Sequence, residues 1–366
     1  MRTRRVIAVA AVVGVTLLGG TATSGASGSG WQVSPTPSNH PAGFGGVAAR
    51  TATDAWATMP QGLEHWDGHT WTVIPPINGP GGQIAASSAI SLGPSDGWAV
   101  CDFIDAQGNS RSCAAHLVGA TWTFVRLPTM TESEFITDVA DVSTTEAFAV
   151  GVGNSPTKGE QTPLVLRWNG SVWSRDAPGI NGALLGVSAD NASDAWAVGA
   201  YGVARGYQML AMHWDGTRWT LMRLTDSGFA DSEFRDVVAF SPTDVWAVGD
   251  EKPQPTSNYR PLIAHWDGTT WTETAGVGPA NASLTTIAGH SSRDLWVTGL
   301  TTHQTSTVEH FNGTRWTVQT LATPDLNDAL VVQDLTAIPG GGAWAAGSYT
   351  PLSGQHLQHP LMEYHP

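Results

Sequence analysis

Apolar and polar residues alternate in short runs along most of the chain. In one such run, residues 194–199, Trp196 and Val198 fall on one face of an extended strand. Ala195 and Ala197 fall on the other face, because successive side chains of a β-strand point to opposite sides. Such a strand has a bulky face and a small face. Sheets arranged radially can interlock by stacking the bulky face of one on the small face of the next.

The run belongs to a motif, Asp-x-Trp-Ala-Val-Gly, that recurs through the chain. Five copies keep its Asp-x-Trp core, and the third and last copies, Glu146-Ala147-Phe148 and Gly342-Ala343-Trp344, are degenerate. The aromatic anchors are Trp56, Trp98, Phe148, Trp196, Trp246, Trp296 and Trp344, spaced by 42, 50, 48, 50, 50 and 48 residues. A period of this length is typical of propellers and other repeat architectures, and the copies number seven.

A second motif, His-Trp-Asp-Gly-x-x-Trp, follows the first in each repeat with some substitutions. Its clearest copies begin at His65, His213 and His265. Asp-Gly between apolar runs is a strong hairpin signal. A two-residue turn predicts that Trp66 pairs with His69 and that the two tryptophans of each motif share a face. All 17 tryptophans occupy the anchor positions of these motifs, which predicts that they form the core.

The chain ends predict how the repeats close. Each repeat reads as four strands, exemplified by the four in residues 185–222. Residues 361–365 fit a third strand with no fourth after it, and Gly30-Trp31-Gln32-Val33 fits a fourth strand with no third before it. Pairing the two ends removes open sheet edges. We therefore predict an all-β seven-bladed β-propeller over residues 27–366, made of four-stranded antiparallel blades and closed when the N-terminal strand completes the last blade.

The repeat resembles known propeller sequences. The Asp-x-Trp-Ala-Val-Gly strand, followed by a strand ending in an aromatic residue, a turn and Trp, is similar to the kelch repeat and to the propeller of galactose oxidase. It also looks like secreted bacterial propeller repeats with little functional description. The chain departs from the kelch pattern because Gly199 is followed by Ala200 where kelch repeats have two glycines. The resemblance therefore implies kelch-like architecture without family membership.

Residues 1–26 are typical of an export signal. Three arginines precede the apolar run Val6–Leu18, and small residues follow it up to a predicted cleavage site after Ala26. The apolar run is too short for a comfortable membrane span, and no other segment comes close to one. We expect a secreted, extracellular protein without a membrane span. Whether export uses the general or the twin-arginine route stays open.

Net charge limits the classes of partner, and the cysteine content predicts a disulfide. Removing the signal leaves 14 basic against 31 acidic residues, a net charge of −17. Nucleic acids and anionic membranes need a basic surface, so neither is expected as a partner. Cys101 and Cys113 are the only cysteines, and outside the cell such a close pair favours a disulfide over a metal site or a nucleophile.

Tyrosines mark the face that we expect to bind a ligand. The loops joining second to third strands, together with the connections between blades, vary most in length, and we call the face that carries them the long-loop face. Tyr201, Tyr207, Tyr259 and Tyr349 lie in these second-to-third loops, and His356 lies near Tyr349. Exposed aromatic residues there could stack on sugar rings or hold a peptide. The alternative is that they only fix long loops to the scaffold.

Aspartates suggest a second kind of site. Asp138, Asp236 and Asp334 occupy one slot, ten residues before the anchor, in blades three, five and seven. Equivalent positions on innermost strands converge on the axis, so the three carboxylates could hold Ca²⁺ or a cationic ligand. The alternative is that each caps local backbone N–H groups. No other cofactor is indicated.

The recurring histidines do not suggest a shared metal. Equivalent residues on neighbouring blades lie about 10 Å apart, far beyond a Zn–N bond of about 2 Å, so we predict structural roles. For the same reason of periodicity, the repeated aspartates of the first motif, such as Asp194, are expected to cap the adjoining turns.

The sequence favours a binding protein over an enzyme. A copper-radical oxidase similar to galactose oxidase would need a Cys–Tyr crosslink, but no Tyr lies near the two cysteines. A sialidase-like hydrolase would need three converging arginines, and no motif brings Arg205, Arg235 and Arg260 together. Linear catalytic motifs are also missing. We expect a monomeric, non-catalytic propeller that binds an extracellular glycan, protein or peptide, with a carbohydrate-active oxidase or glycoside hydrolase as the alternative.

Overall fold

The computed structural model describes residues 30–366 with short gaps. The residues left out within this range are 38–42, 61, 80–81, 84, 106, 129, 131–133, 155–160, 177, 204–205, 223, 225–230, 253–258, 275, 302, 304, 323–328 and 351–357. The predicted export signal and His356 therefore lie outside the described residues. No helix in the described part is long and apolar enough to cross a membrane.

The described residues form seven four-stranded antiparallel sheets, or blades, and one short extra hairpin. Blades one to three contain β2 (Gly46–Thr51), β3 (Asp54–Met59), β4 (Gly62–Trp66) and β5 (Trp71–Val73); β8 (Ala85–Leu92), β9 (Asp96–Ile104), β10 (Ser110–Val118) and β11 (Thr121–Val125); and β12 (Phe135–Ser143), β13 (Glu146–Asn154), β14 (Gln161–Trp168) and β15 (Trp173–Asp176). The extra hairpin, between blades one and two, is β6 (Asn78–Gly79) and β7 (Gly82–Gln83).

The remaining blades repeat this order, with one exception in the last. Blades four to six contain β16 (Ala183–Asn191), β17 (Asp194–Val203), β18 (Gly206–Trp214) and β19 (Trp219–Met222); β20 (Asp231–Ser241), β21 (Asp244–Lys252), β22 (Arg260–Trp266) and β23 (Trp271–Thr274); and β24 (Ala282–Ser291), β25 (Asp294–Thr301), β26 (Ser306–Phe311) and β27 (Trp316–Gln319). Blade seven contains β28 (Ala329–Ala337), β29 (Ala343–Thr350), β30 (His359–His365) and β1 (Gln32–Val33).

The blades form a closed ring, as predicted. The first strand of each blade contacts the first strands of both neighbours, in the order β2, β8, β12, β16, β20, β24, β28 and back to β2. The first strands therefore surround a central axis. In the last blade β1 pairs antiparallel with β30, so that Gln32 lies opposite Tyr364 and Val33 opposite Glu363. This confirms that the N-terminal strand supplies the fourth strand of blade seven.

Packing between blades follows the alternation read from the sequence. Trp196 and Val198 pack towards blade five, in a cluster with Ala247. On the other side of the same strand, Ala197 packs with Phe148 of blade three. The bulky face of one blade thus meets small residues of the next, and the core is divided into clusters of this kind between the blades.

The cysteines form the predicted disulfide. Cys101 on β9 lies directly opposite Cys113 on β10, their Cα atoms are 4.8 Å apart, and both are buried. The bond crosslinks the second and third strands of blade two, where it packs within the apolar layer between blades one and two.

The register of the Asp-Gly hairpins differs from the prediction. Trp66 lies opposite Trp71, not His69, so four residues and not two form the loop. Asp67 explains the longer loop: its Oδ1 accepts hydrogen bonds of 2.8 Å from the backbone N–H groups of His69 and Thr70, and Gly68 adopts a φ of 93°. An Asx turn of this kind stabilises the loop without the positive φ that a two-residue turn needs at both positions.

The repeated Asp of the first motif does not cap the adjoining turn. In blade four Asp194 Oδ1 accepts hydrogen bonds from Trp196 Nε1 at 3.1 Å and pairs with His213 Nε2 at 2.7 Å. The His213 ring stacks on the Trp196 indole with centroids 4.5 Å apart. The turn is capped instead by Asn191, whose Oδ1 accepts the Ser193 N–H. The prediction for Asp was wrong because the side chain points along the blade towards the third strand.

The Asp–His pair recurs in five blades. The pairs are Asp54–His65, Asp96–His116, Asp194–His213, Asp244–His265 and Asp294–His310, with distances of 2.6 to 3.1 Å. Blade three uses Glu146 and Arg167 in the same places. These contacts fix the second strand to the third inside one blade.

Replacing Asp194 by Ala is expected to destabilise the protein by about 1–3 kcal/mol, because a buried indole N–H and an imidazole lose their shared acceptor. Chemical denaturation of Asp194→Ala measures this. Asp190→Ala, which removes an exposed carboxylate next to the same turn, is the control and should stay within about 0.5 kcal/mol of the parent. Equal effects of the two variants would contradict the role given to Asp194.

Candidate binding site

A channel of about 520 Å³ runs along the axis and is lined by the first strands of all seven blades. In blades three to seven each first strand carries a β-bulge on the side of the long-loop face. The bulged residues are Thr137, Leu185, Arg235, Thr285 and Gln333. Because a bulge re-aims a side chain, this ring of five residues decides the chemistry of the channel mouth. Nothing in the residue pattern alone revealed the bulges.

Arg235 is the basic residue of this ring, and it is held by two acids. Its Nε donates to Asp250 Oδ2 at 2.8 Å, and its Nη2 pairs with Glu233. Burial alone would lower the pKa of Arg235, but the carboxylates of Glu233 and Asp250 outweigh burial and raise it. Asp250 also accepts the Ser283 hydroxyl at 2.5 Å. The Asp250 carboxylate thus links blade five to blade six at the mouth, and it also holds the Arg235 guanidinium within blade five.

The three aspartates of the predicted cation site line the channel just below the bulges. Each carboxylate bonds its own strand and the next blade: one oxygen accepts the N–H of the following residue, and the other accepts an N–H of the neighbouring first strand. The bonds to the neighbouring blade run from Val187 to Asp138, from Ile287 to Asp236 and from Val47 to Asp334, each at 2.8 Å. The carboxylates therefore fasten blade three to four, five to six and seven to one.

The three carboxyl groups line the channel but are largely surrounded by protein, and this burial raises the pKa of each of them. Burial raises the pKa of Asp236 to about 6 and that of Asp334 to about 7. Burial, together with the carboxylate of Asp236, also raises the pKa of Asp138 well above its usual range. Within the described part of the chain, no group of three or more His, Cys, Asp or Glu could hold a metal ion. Each carboxylate caps one local N–H group and one N–H group of the next blade, and the Ca²⁺ site stays a prediction.

Three of the four predicted tyrosines are exposed on the long-loop face. The exposed fractions are 37% for Tyr201, 50% for Tyr207 and 41% for Tyr259. Tyr201 and Tyr207 belong to the extended hairpin of β17 and β18. In its register Tyr201 lies opposite Gln208, and Tyr207 lies opposite Gly202. Tyr207 shares the side of the sheet on which Gly202 lies, whereas Tyr201, the neighbour of Gly202 in β17, points to the other side. The two rings therefore lie on opposite sides of blade four. Tyr201 is on the side of blade three and Tyr207 on the side of blade five.

Contacts through blade five connect Tyr207 with Tyr259. The backbone N–H of Tyr207 donates to Asp231 Oδ1 at 3.2 Å, which joins the hairpin of blade four to the start of β20. Asp231 lies opposite Lys252 in the sheet, and Lys252 Nζ lies 5.8 Å from the centre of the Tyr259 ring. The structure therefore brings two exposed tyrosines, Asp231 and Lys252 to the same part of the long-loop face, and Tyr259 lies close enough to Arg235 to act on its charge.

Tyr349 has a different environment. It is partly buried against the apolar cluster between blades six and seven, and its ring stacks on His359 with centroids 5.3 Å apart. This matches the alternative that the tyrosine fixes a loop to the scaffold.

Sequence reasoning missed three buried glutamates. Glu64, Glu309 and Glu363 occupy one slot in the third strands of blades one, six and seven, and all are fully buried. Glu309 Oε2 accepts the Val277 N–H at 2.9 Å, and Glu363 Oε2 accepts the Ala322 N–H at 2.6 Å. Both acceptors hold the connection that arrives from the preceding blade. In blades one and six the glutamate directly precedes the His of the second motif, at Glu64-His65 and Glu309-His310, and this position was the signal that could have revealed two of them.

Comparisons with known proteins support the fold. No family model matches the chain, and no curated protein matches it. Among solved structures, YCF48 bound to D1 peptide has a TM-score of 0.60 at 12% identity, covering 92% of this chain and 95% of that one. The GH74 xyloglucanase from Xanthomonas campestris has 0.57 at 11%, covering 90% and 55%. The WD40 β-propeller domain of Doa1 has 0.53 at 10%, covering 92% and 97%. At these identities the likeness is one of fold alone, and the kelch-like similarity remains a resemblance.

Proposed function

We propose that this protein is a secreted binding propeller that holds an extracellular peptide segment on the long-loop face, at the long-loop ends of blades four and five. The observation that carries the proposal is the placement of exposed Tyr207 and Tyr259 next to Asp231 and Lys252, which lie opposite each other in the sheet of blade five. The N-terminal pattern and the disulfide support a location outside the cell.

The chemistry of this surface suits a peptide better than a sugar. Exposed tyrosines offer rigid area that is apolar at the ring and polar at the hydroxyl, which either ligand could use. Around them lie charged groups of both signs, Asp231, Lys252, Glu233 and Arg235, which match the charged side chains and backbone amides of a peptide. The YCF48 structure, bound to D1 peptide, places a peptide on a propeller of similar fold.

The test is a screen of the secreted protein on peptide and glycan arrays, followed by affinity measurements on variants. Tyr207→Ala and Tyr259→Ala are each expected to weaken peptide binding about tenfold, the effect of removing an aromatic anchor worth about 1–2 kcal/mol. Tyr201→Ala is the matched control, since that tyrosine is similarly exposed on the other side of blade four, and it should change affinity less than about twofold.

Two outcomes would contradict the proposal. One is a double variant, Tyr207→Ala with Tyr259→Ala, that binds the selected peptide as tightly as the parent. The other is selection of glycans alone by the array, with the same tyrosines required for binding, which would replace a peptide by a sugar in the same place.

A further inference from the structure

A second cavity, of about 420 Å³, opens on blade five next to Tyr259. It is lined by Glu251, Arg260 and Glu273, by the apolar residues Pro261, Leu262 and Ile263, and by the start of the connection to blade six. Glu251 lies one residue before the end of the second strand, Arg260 begins the third, and Glu273 lies near the end of the fourth. All three therefore stand at the long-loop end of the blade, and we call this cavity the blade-five cleft.

Glu251 is buried, and both of its bonds from Arg260 go to one of its two carboxylate oxygens. The side chain is 1% exposed. Both Nε and Nη2 of Arg260 bond the same oxygen, Oε1, with an Nε distance of 2.7 Å. Oε2 has no hydrogen-bond partner among the residues that the structure describes. A guanidinium usually bonds both oxygens of a carboxylate in parallel, so this pairing leaves a buried acceptor vacant.

The cleft has an excess of negative charge. Burial raises the pKa of Glu251, and the neighbouring carboxylate of Glu273 adds to the rise while Arg260 opposes it. Glu309 of blade six lies directly next to Gly276, which lines the cleft. A Cβ atom added at Gly276 would lie only 3.1 Å from Glu309 Oε2. One guanidinium thus stands among three glutamates. Leaving a buried acceptor unsatisfied is costly, and a second cationic donor would satisfy it.

The shape of the cleft indicates what kind of cation fits. Its apolar residues suit the methylene stem of a long side chain, and the carboxylates suit a charged head. Arg260 bonds the other oxygen, Oε1, and is 48% exposed, so its guanidinium can turn aside into water. We infer that the blade-five cleft binds a lysine side chain of the partner peptide, with its ammonium on Glu251 Oε2 and Arg260 as the displaceable internal cation.

This inference rests on the proposed function and specifies the peptide. Titration of the isotope-labelled full protein with acetyl-Gly-Lys-Gly-amide, followed by NMR, tests it directly. We expect the lysine peptide to shift the amide signals of Gly276 and Gly278, and the norleucine analogue to leave them unchanged. Glu251→Gln should weaken lysine-peptide binding at least tenfold. Arg260→Ala, which removes the competing cation, should strengthen it about threefold or more.

Glu134→Gln is the matched control. Glu134 is also a largely buried glutamate paired with an arginine, Arg175, but in blade three. That variant should bind the lysine peptide as the parent does, and the amide spectra of all variants report whether they remain folded. Equal shifts with lysine and norleucine, unchanged binding by folded Glu251→Gln, or equal losses in Glu134→Gln would each overturn the inference.

The outcomes separate this inference from the proposed function. If array-selected peptides need Tyr207 and Tyr259 but bind equally well after lysine is replaced by norleucine, the proposed function is supported and the lysine site is contradicted. If the lysine peptide binds through Glu251 and the tyrosine variants have no effect, the proposed function is contradicted and the lysine site is supported.

Discussion

Replacing Trp31 by Ala is expected to lower the free energy of unfolding by about 3–5 kcal/mol, the usual cost of truncating a buried tryptophan. Trp31 is 2% exposed, and its ring lies 5.4 Å from Trp296 of blade six in an edge-on arrangement. The closing strand itself is short, with two paired residues and a bond of 2.8 Å from Ser34 N to Met362 O. Trp31 is thus the buried apolar anchor of a closing strand whose two paired residues are exposed.

Chemical denaturation compares Trp31→Ala with Val33→Ala. Val33 lies in the same strand but is 51% exposed, so its truncation should cost less than about 0.5 kcal/mol. Loss of Trp31 should also expose the edge of β30, and the variant is expected to aggregate at lower protein concentration than the control. Parent-like stability of Trp31→Ala would show that the ring does not depend on this closure.

Stability is expected to rise by about 2–5 kcal/mol as the pH falls from 8 to 5, because the channel carboxyls take up protons in the folded state. Asp334, with a pKa of about 7, and Asp236, with one of about 6, bind protons more readily folded than unfolded. Burial and the nearby Asp96 likewise raise the pKa of Asp141 to about 7. An acid with a raised pKa contributes most below its unfolded pKa, and that contribution is lost as the pH rises through the folded value.

Other groups set the acid limit of this effect. Hydrogen bonds from Thr217 and from turn N–H groups lower the pKa of Asp215 to about 2, so its contribution is lost as the pH falls below 4. Burial lowers the pKa of His365, which opposes the gain from about pH 6.5 downwards. The stability maximum should therefore lie near pH 4 to 5.

Thermal unfolding across this pH range checks the prediction. In Asp334→Asn, which cannot titrate, the difference between pH 5 and pH 8 should shrink by about a third or more. Asp215→Asn is the control and should keep the full difference, since Asp215 titrates outside the range. A parent melting temperature that is flat or higher at pH 8 would show that the channel carboxyls are ionised without penalty.

Much of the fold was predictable because the repeat constrains it many times over. Seven anchors at near-constant spacing fix the number of blades, and the incomplete strands at Trp31 and Tyr364 can only complete each other. The disulfide was predictable because the two cysteines are close in the sequence of a protein expected outside the cell, and the structure places them in facing strands of one blade. In each case a single residue pattern permits one arrangement.

Details that depend on side-chain geometry were not predictable. The pairing of Trp66 with Trp71 follows from the Asx bonds of Asp67, which compete with the tighter turn that Asp-Gly favours. The bulge that turns Arg235 into the channel mouth leaves no mark on the alternation of β20. The slot of Asp236 was found correctly, but its hydrogen bond to Ile287 depends on how closely neighbouring first strands approach.

The site was predictable only as a face. Loop length predicted the long-loop face and placed the tyrosines on it, yet the separation of Tyr201 from Tyr207 and the burial of Tyr349 depend on strand extension into the hairpins. The blade-five cleft combines residues from three strands whose proximity the sequence does not reveal. The sequence therefore predicts exposed aromatic residues on this face, and the structure shows which of them lie together.

Hydrogen–deuterium exchange of the protein with and without its best-binding array peptide tests the central claim most directly. The account predicts slower exchange at the long-loop ends of blades four and five, in the segments around Tyr207, Asp231 and Tyr259, and unchanged exchange in the Asp67 and Asp215 turns on the opposite face. Protection confined to those turns, or to the outer strands of other blades, would contradict it.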